Sequence, residues 1–433
     1  MRFGLVPIIN GYTKITQEYA EAELKKVIRI TKSLSHEIIE TIPVERILTR
    51  PDFIREIPSL VYSQRIDALI FVLLTDKVER FFEELIEKLH IPVIIVPASG
   101  YNALSAALEI MGEHKRYVVP LTMAYGENEE YLKKDLSVKI ISVETLLSLR
   151  RTRIGLIGFP APWLISYISE PSLISKKLGI TLLQISLGEF IREIANVTDI
   201  NQIKEIIESI KKLGKFDVEP KKTTLEMTAK IFIAMKKILE RYQVDAIAIR
   251  DVEFPEMLHN TVYLPLALLN KQGIATVAEG DIYAILGMII LYKLSNQMPI
   301  VGKISKIITS ENKLVISYEY APPQLLKNRV VVSSQFFGGG LSLKGEIKEE
   351  GLVTAIRIGG KQCDKITIIQ GIIKPSEQYD PTLPPLQFSV KVNGNVKKLF
   401  EYGIGGNLTF SFGDFVPHIE DLAKMLNVKI IRI

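Results

Sequence analysis

Two acidic residues, Glu256 and Asp281, lie twenty-five positions apart, about one helix plus one strand, so a chain that folds as strand–helix–strand returns both to one sheet edge. They sit in AIAIRDVEFPEMLHNTVYLPLALLNKQGIATVAEGDIYAILGMIILYKL, residues 246–294. It reads as strand 245–250, an acidic turn with Asp251 and Glu253, helix 255–271, strand 273–278, a second acidic turn with Glu279 and Asp281, and helix 282–294. Carboxylates at the ends of neighbouring parallel strands can hold a divalent cation or act as an acid/base pair. The plainer roles, solvated loop acids or helix caps, also fit the positions. His259 follows Glu256 by three, which on a continuous helix places both on one face, a spacing used in carboxylate metal sites.

The elements around this stretch predict an α/β chain. A length of 433 residues exceeds one typical core. From 1 to 150, short apolar runs (FGLVPII, ALIFVLL, PVIIVPA, RYVVPLT, VKIIS) alternate with amphipathic segments such as 17–31, 77–89 and 101–111, the pattern of a doubly wound parallel sheet. A basic LRRTR segment precedes a second strand series, and residues 151–297 form a second α/β domain that carries the acidic turns. Residues 298–433 change texture to Val-, Ile-, Thr- and Phe-rich runs broken by Gly, Pro, Asn and Asp. They predict a mainly antiparallel β domain closed by a helix at 417–426, with Asn393-Gly394 suited to a tight hairpin.

Composition excludes several function classes. The 54 basic residues leave a net charge of only +5 and form no cluster interleaved with aromatics, which argues against nucleic acid. Gly155 and Gly158 lack a third glycine and are followed by Pro160 and Pro162, so no nucleotide cofactor is expected. The lone Cys363 forms no disulfide, and together with the lack of an export signal or membrane span it predicts a cytoplasmic protein. A bias to Ile, Lys and Glu fits a thermophilic host. His36, His90, His114 and His418 read as structural or surface residues.

The segments FPEML, GIATVAEGDIYAILGMIILYKL, LVTAIRI and GIGGNLTFSFGDFVPHIEDLAKMLNVKIIRI together resemble the L-fucose/L-arabinose isomerase superfamily, nearer the fucose side, over almost the whole chain. The resemblance implies reversible aldose–ketose isomerisation of a pentose, deoxyhexose or related sugar through an ene-diol. A divalent cation, most often manganese, would chelate the open-chain sugar. It implies a homo-oligomer, trimer or hexamer, in which a neighbouring first domain helps cover the sugar.

Residue by residue, Glu256 and Asp281 match the family's two catalytic, metal-binding carboxylates. The family's third ligand is a His seven residues before the Asp of the Gly-Asp turn. Counting back from Asp414 gives Asn407, a weaker oxygen ligand that cannot carry a proton. Asn407 could ligate directly, His259 could swing in, water could complete the shell, or the metal could be lost. Gly339, in the Gly338–Gly340 turn, is a candidate for close approach to the sugar, and Trp163 for stacking on it; Glu279 would orient Asp281. The alternative is a relative that only binds a sugar, or that carries out other carbohydrate chemistry.

Overall fold

A computed structural model describes the chain apart from residues 11, 35–36, 41–54, 114–116, 118, 161–164, 166–170, 334–338, 377 and 404. Trp163, Gly338, His36 and His114 lie outside the described residues. Two compact units are present: Met1–Leu147 with Pro417–Val428, and Ser148–Val416 with Lys429–Ile433.

The first unit holds a parallel sheet of β1 (Arg2–Ile8), β2 (Glu37–Glu40), β3 (Ala68–Leu73), β4 (Val93–Pro97) and β5 (Leu121–Met123), in the order β2-β1-β3-β4-β5. Every residue of β3 and β4 is buried, as expected of strands covered on both faces. VKIIS, expected to be a strand, lies within the helix Glu129–Arg151. Leu132, Leu136, Ile140, Val143 and Leu147 recur at three- and four-residue steps and are buried, so helical burial overrides the β-branched run. The helix Val416–Met425 belongs to this unit: the Thr122 hydroxyl and Lys139 Nζ donate to buried Asp421 at 2.5 and 3.1 Å.

The second unit starts with a parallel sheet of β6 (Arg153–Ile157), β7 (Thr181–Ile185), β9 (Ala246–Ile249) and β10 (Ala275–Val277), in the order β10-β9-β6-β7. Short β8 (Lys215–Phe216) pairs instead with β13 (Leu326–Ser333), which pairs with β14 (Leu341–Ile347). The remaining strands are β11 (Ile300–Ile308), β12 (Lys313–Tyr318), β15 (Gly351–Gly359), β16 (Lys365–Pro375), β17 (Leu386–Val392), β18 (Leu408–Phe412) and β19 (Lys429–Arg432). They run β15-β18-β11-β12-β17-β16-β19, and β15 also pairs with β16, so six antiparallel strands close into a barrel and β19 adds parallel to β16. Closure removes the exposed strand edges that an open antiparallel sheet would carry. Asn393-Gly394 does not make a two-strand hairpin: β17 pairs on both sides with β12 and β16, and the chain turns there into the short helix Lys398–Tyr402.

Residues 282–291 of the helix Ile282–Ser295 are apolar all round because they are buried all round, and the helix packs on β15 and β18 of the barrel as well as on β10. Gly287 permits a close approach, since a Cβ there would lie 2.8 Å from the Thr409 hydroxyl. No described helix is long and apolar enough to cross a membrane.

Candidate functional site

The parallel pairing of β9 with β10, Ala246 opposite Ala275, sets the two acidic turns side by side at the carboxyl ends of these strands. Open α/β sheets bind ligands at such an edge. Asp251 follows β9, and its Oδ1 accepts the Glu279 backbone N–H at 2.7 Å. Glu279 follows β10 with a φ of +63°, in the left-handed region that costs a non-glycine residue of the order of 1 kcal/mol. Gly280 continues the turn at φ +65° and donates its N–H to Ile249 O at 2.8 Å, so the turn is tied back to β9. The strained Glu279 backbone is what delivers its N–H to Asp251.

The barrel brings the complementary groups. Lys303, on β11 beside a bulge in its pairing with β12, donates Nζ to Glu279 Oε1 at 2.6 Å and to Glu319 Oε1 at 3.4 Å. Glu319 lies just beyond β12 and is buried. Tyr263 hydrogen-bonds to Asp251 and stacks on Tyr320, whose hydroxyl donates to Thr276 O at 2.8 Å. Asp251, Glu279, Glu319, Lys303 and Tyr263 thus form one linked network. Glu279 and Lys303 are its solvent-reaching members, with side chains 19% and 31% exposed.

Burial sets the charge states. Asp251 is pushed up to about 7, first by desolvation and then by the charges of Glu279 and Glu319, against the lowering effect of the Glu279 N–H. Burial also raises Glu319, offset in part by Lys303. For Lys303 burial alone would favour the neutral amine, but Glu319 and Glu279 outweigh it and keep the ammonium charged. Tyr263 is held well above its usual range by burial and then by Asp251. A buried carboxyl near 7 is a feature found where protons are moved.

Asp281 is fully buried and its oxygens are committed: Oδ1 caps the helix Ile282–Ser295 by accepting Ala284 N–H at 3.0 Å, and Oδ2 accepts Arg357 Nη1 at 2.6 Å and Asn407 Nδ2 at 2.9 Å. Arg357 comes from β15, is 2% exposed, and also donates to Asn407 O at 2.9 Å. Asn407 Nδ2 reaches Glu279 Oε2 at 3.3 Å, which joins this pair to the network. Among the described residues, neither Asn407 Oδ1 nor Glu319 Oε2, both buried, has a hydrogen-bond partner.

The structure therefore brings Asp281 and Asn407 together, with Glu279 beside them, and it places Glu256 and His259 differently. The region expected to be one helix is two, Phe254–Leu258 and Tyr263–Lys271, because His259 takes a left-handed φ of +48° and ends the first. Glu256 and His259 consequently do not share a continuous helical face, and both are exposed. Among the described residues, no three His, Cys, Asp or Glu side chains are grouped to hold a metal ion. Gly339 and Gly340 approach the protein's own backbone: a Cβ at Gly339 would meet His259 O at 3.4 Å, and one at Gly340 would meet Thr261 N at 2.4 Å. His90 is exposed, and His418 accepts a Ser142 hydroxyl at its carbonyl at 3.2 Å. Cys363 is buried, its thiol pushed up to about 12 by burial, and inert as a nucleophile. A separate cavity of about 850 Å³, lined by Asp217, Lys344, Tyr379 and Gln387 among others, contains none of the network residues.

Sequence reasoning missed Lys303, Glu319, Tyr263 and Arg357, and quoted Asp251 without assigning it a role. Asp251 carried the one available signal, an acid immediately after an apolar strand.

Comparison with known proteins gives a whole-length likeness. Two proteins described as sulfoquinovose isomerase, from Priestia aryabhattai and Priestia megaterium, are each 22% identical to this chain over 407 residues, covering 89% of it and 90% of the relative. No protein-family model matches. Among solved structures, a periplasmic solute-binding protein of an ABC transporter from Actinobacillus succinogenes with bound D-allose is 12% identical. It covers 68% of this chain and 92% of that one at a TM-score of 0.17, which carries no argument.

Proposed function

We propose that this protein is a sugar aldose–ketose isomerase whose proton-transfer site is the network of Asp251, Glu279 and Lys303. The observation that carries the reading is the convergence of both acidic turns with one ammonium, Glu279 N–H on Asp251 at 2.7 Å and Lys303 on Glu279 at 2.6 Å. The full-length likeness to two sulfoquinovose isomerases supports it.

Isomerisation needs a base to take the proton from C2 and return it at C1, a group to carry the proton between O1 and O2, and positive charge beside the ene-diolate. Glu279, the solvent-reaching carboxylate, moves the carbon-bound proton. Asp251, poised near neutral pH, carries the oxygen-bound one. Lys303 stabilises the developing oxyanion through a charge fixed in advance by Glu279 and Glu319. Atoms and electrons balance within the sugar, so no external oxidant or reductant is required.

The residues do not fit the divalent cation that the superfamily resemblance implies, because Arg357 and the Asn407 amide already occupy the oxygen of Asp281 that faces away from the helix cap. The test is ketose formation from a panel including L-fucose, L-arabinose and D-glucose, before and after chelation and with manganese restored. The expected result is turnover that changes less than about twofold, with an unchanged Tm, across the metal arms. Rescue by manganese together with a rise in Tm would reinstate a metal at Asp281. Absence of any interconversion would reject the isomerase reading.

A further inference from the structure

Resting on that reading, we infer that Asn407 is a positioning residue that aims the Glu279 carboxylate, and that the buried pair of Arg357 and Asp281 fixes Asn407 for that task. Glu279 is held at both oxygens: Lys303 Nζ donates to Oε1 at 2.6 Å and Asn407 Nδ2 to Oε2 at 3.3 Å. A carboxylate with one partner turns about that contact, whereas partners on both oxygens set its plane. The two partners leave neighbouring strands in step. Gly302 on β11 pairs with Leu408 on β18, and Lys303 and Asn407 are the next residues beyond that pair at the same end.

Arg357 grips Asn407 twice. Its Nη1 donates to the Asn407 backbone O at 2.9 Å and to Asp281 Oδ2 at 2.6 Å, and the same Oδ2 accepts Asn407 Nδ2 at 2.9 Å. Asp281, Asn407 and Arg357 are all buried, so this end of the chain of contacts is the immobile one and Glu279 is the side chain it steadies. A side-chain amide carries two N–H groups, and Asn407 offers Nδ2 to both Asp281 and Glu279. Turned over, the amide would set Oδ1 against two carboxylate oxygens, which leaves it one orientation. Asparagine is also neutral at every pH. It orients a carboxylate without the added positive charge that would make that carboxylate a poorer base. The position that the superfamily resemblance gives to a metal-binding His thus serves to hold a carboxylate in place.

Asn407→Leu, which removes both N–H groups at nearly constant volume, tests this in the purified full-length protein, with Asn407→Ala as a second variant should the leucine protein fail to fold. The expected result is a kcat about 10²-fold lower on the best sugar with KM changed by less than about threefold, since misplacing a reacting group by about 1 Å costs that much. Crystal structures of wild type and variant should show the Glu279 carboxylate displaced while Asp251, Asp281 and the backbone of the turn stay in place. A merely structural role would lower the amount of folded protein and leave Glu279 where it is. A kcat within about threefold of wild type, a KM that rises while kcat holds, or an unmoved Glu279 carboxylate overturns the inference while the isomerase assignment stands. Manganese that copurifies with wild type and is lost from the variant overturns it too, by making Asn407 a ligand. If wild type interconverts no sugar, the assignment falls, and the pair of crystal structures still decides whether Asn407 aims Glu279.

Discussion

Replacing Asp251 with Asn is expected to lower turnover by about 10²–10⁴-fold while leaving the protein at least as stable as wild type at pH 8. The two effects have one cause. A carboxyl with an ordinary value of 3.8 that is pushed up to about 7 in the folded chain keeps its proton where the unfolded chain has lost it. From about pH 4 to about pH 7 the folded state thus binds more protons, and stability falls as pH rises. Above about pH 7 the penalty is complete and constant, of the order of 4 kcal/mol at most. Asn removes the ionisation and keeps an oxygen for the Glu279 N–H, so the penalty goes while the turn survives. Wild-type kcat/KM should show a limb with an apparent pKa near 7 that the variant lacks. Urea unfolding at pH 5 and pH 8 reads the stability side. A variant that keeps more than a tenth of wild-type turnover, with its pH limb intact, would remove Asp251 from the chemistry.

The second large effect is structural. Arg357→Met should destabilise the protein by about 3–5 kcal/mol, because among the described residues it leaves Asp281, 0% exposed, with the Asn407 amide and the Ala284 N–H alone. The isolated loss is the penalty of an unpaired buried charge, so adding Asp281→Asn should recover at least half of it. Chemical denaturation of the two variants and the double mutant gives the coupling directly. A single-variant loss under about 1 kcal/mol would mean that water or another cation reaches Asp281 and that the pair is not what fixes it.

This pair also shows where sequence reasoning ran out. The apolar runs around Ala246 and Ala275, each closed by an acid, were enough to place two parallel strands with adjacent acidic turns, because a strand–helix–strand crossover leaves few alternatives. Asp281 as a helix cap was among the roles its position allowed, and its Oδ1 fills that role. Its second oxygen meets Arg357, 76 positions away on β15, inside a run (LVTAIRI) whose alternation reports a barrel strand and nothing about a partner. Lys303 and Glu319 were hidden for the same reason, since VGKISKII and KLVISYEY look like any half-polar strands. The break at His259 had one signal, Pro265 inside the expected helix 255–271, since proline is tolerated in a helix's first turn and not in its interior, and the second helix does start at Tyr263. His259 takes a left-handed φ of +48°, and beyond it Asn260 Oδ1 accepts Thr261 N–H at 2.8 Å while Gly340 packs close against Thr261. The spacing from Glu256 to His259 therefore suggested a shared helical face that the chain does not make.

In the proposed reaction Asp251, Glu279 and Lys303 act together to move a proton between adjacent carbons of a sugar. Proton NMR of the purified protein with a neutral aldose in D2O tests it most directly, since an ene-diol route exchanges the migrating hydrogen with solvent. Ketose should form with deuterium appearing at C1, and none above background when Glu279→Gln replaces wild type. Ketose formed at undiminished rate by the Glu279→Gln protein would contradict it, as would a wild-type protein that leaves every sugar unchanged.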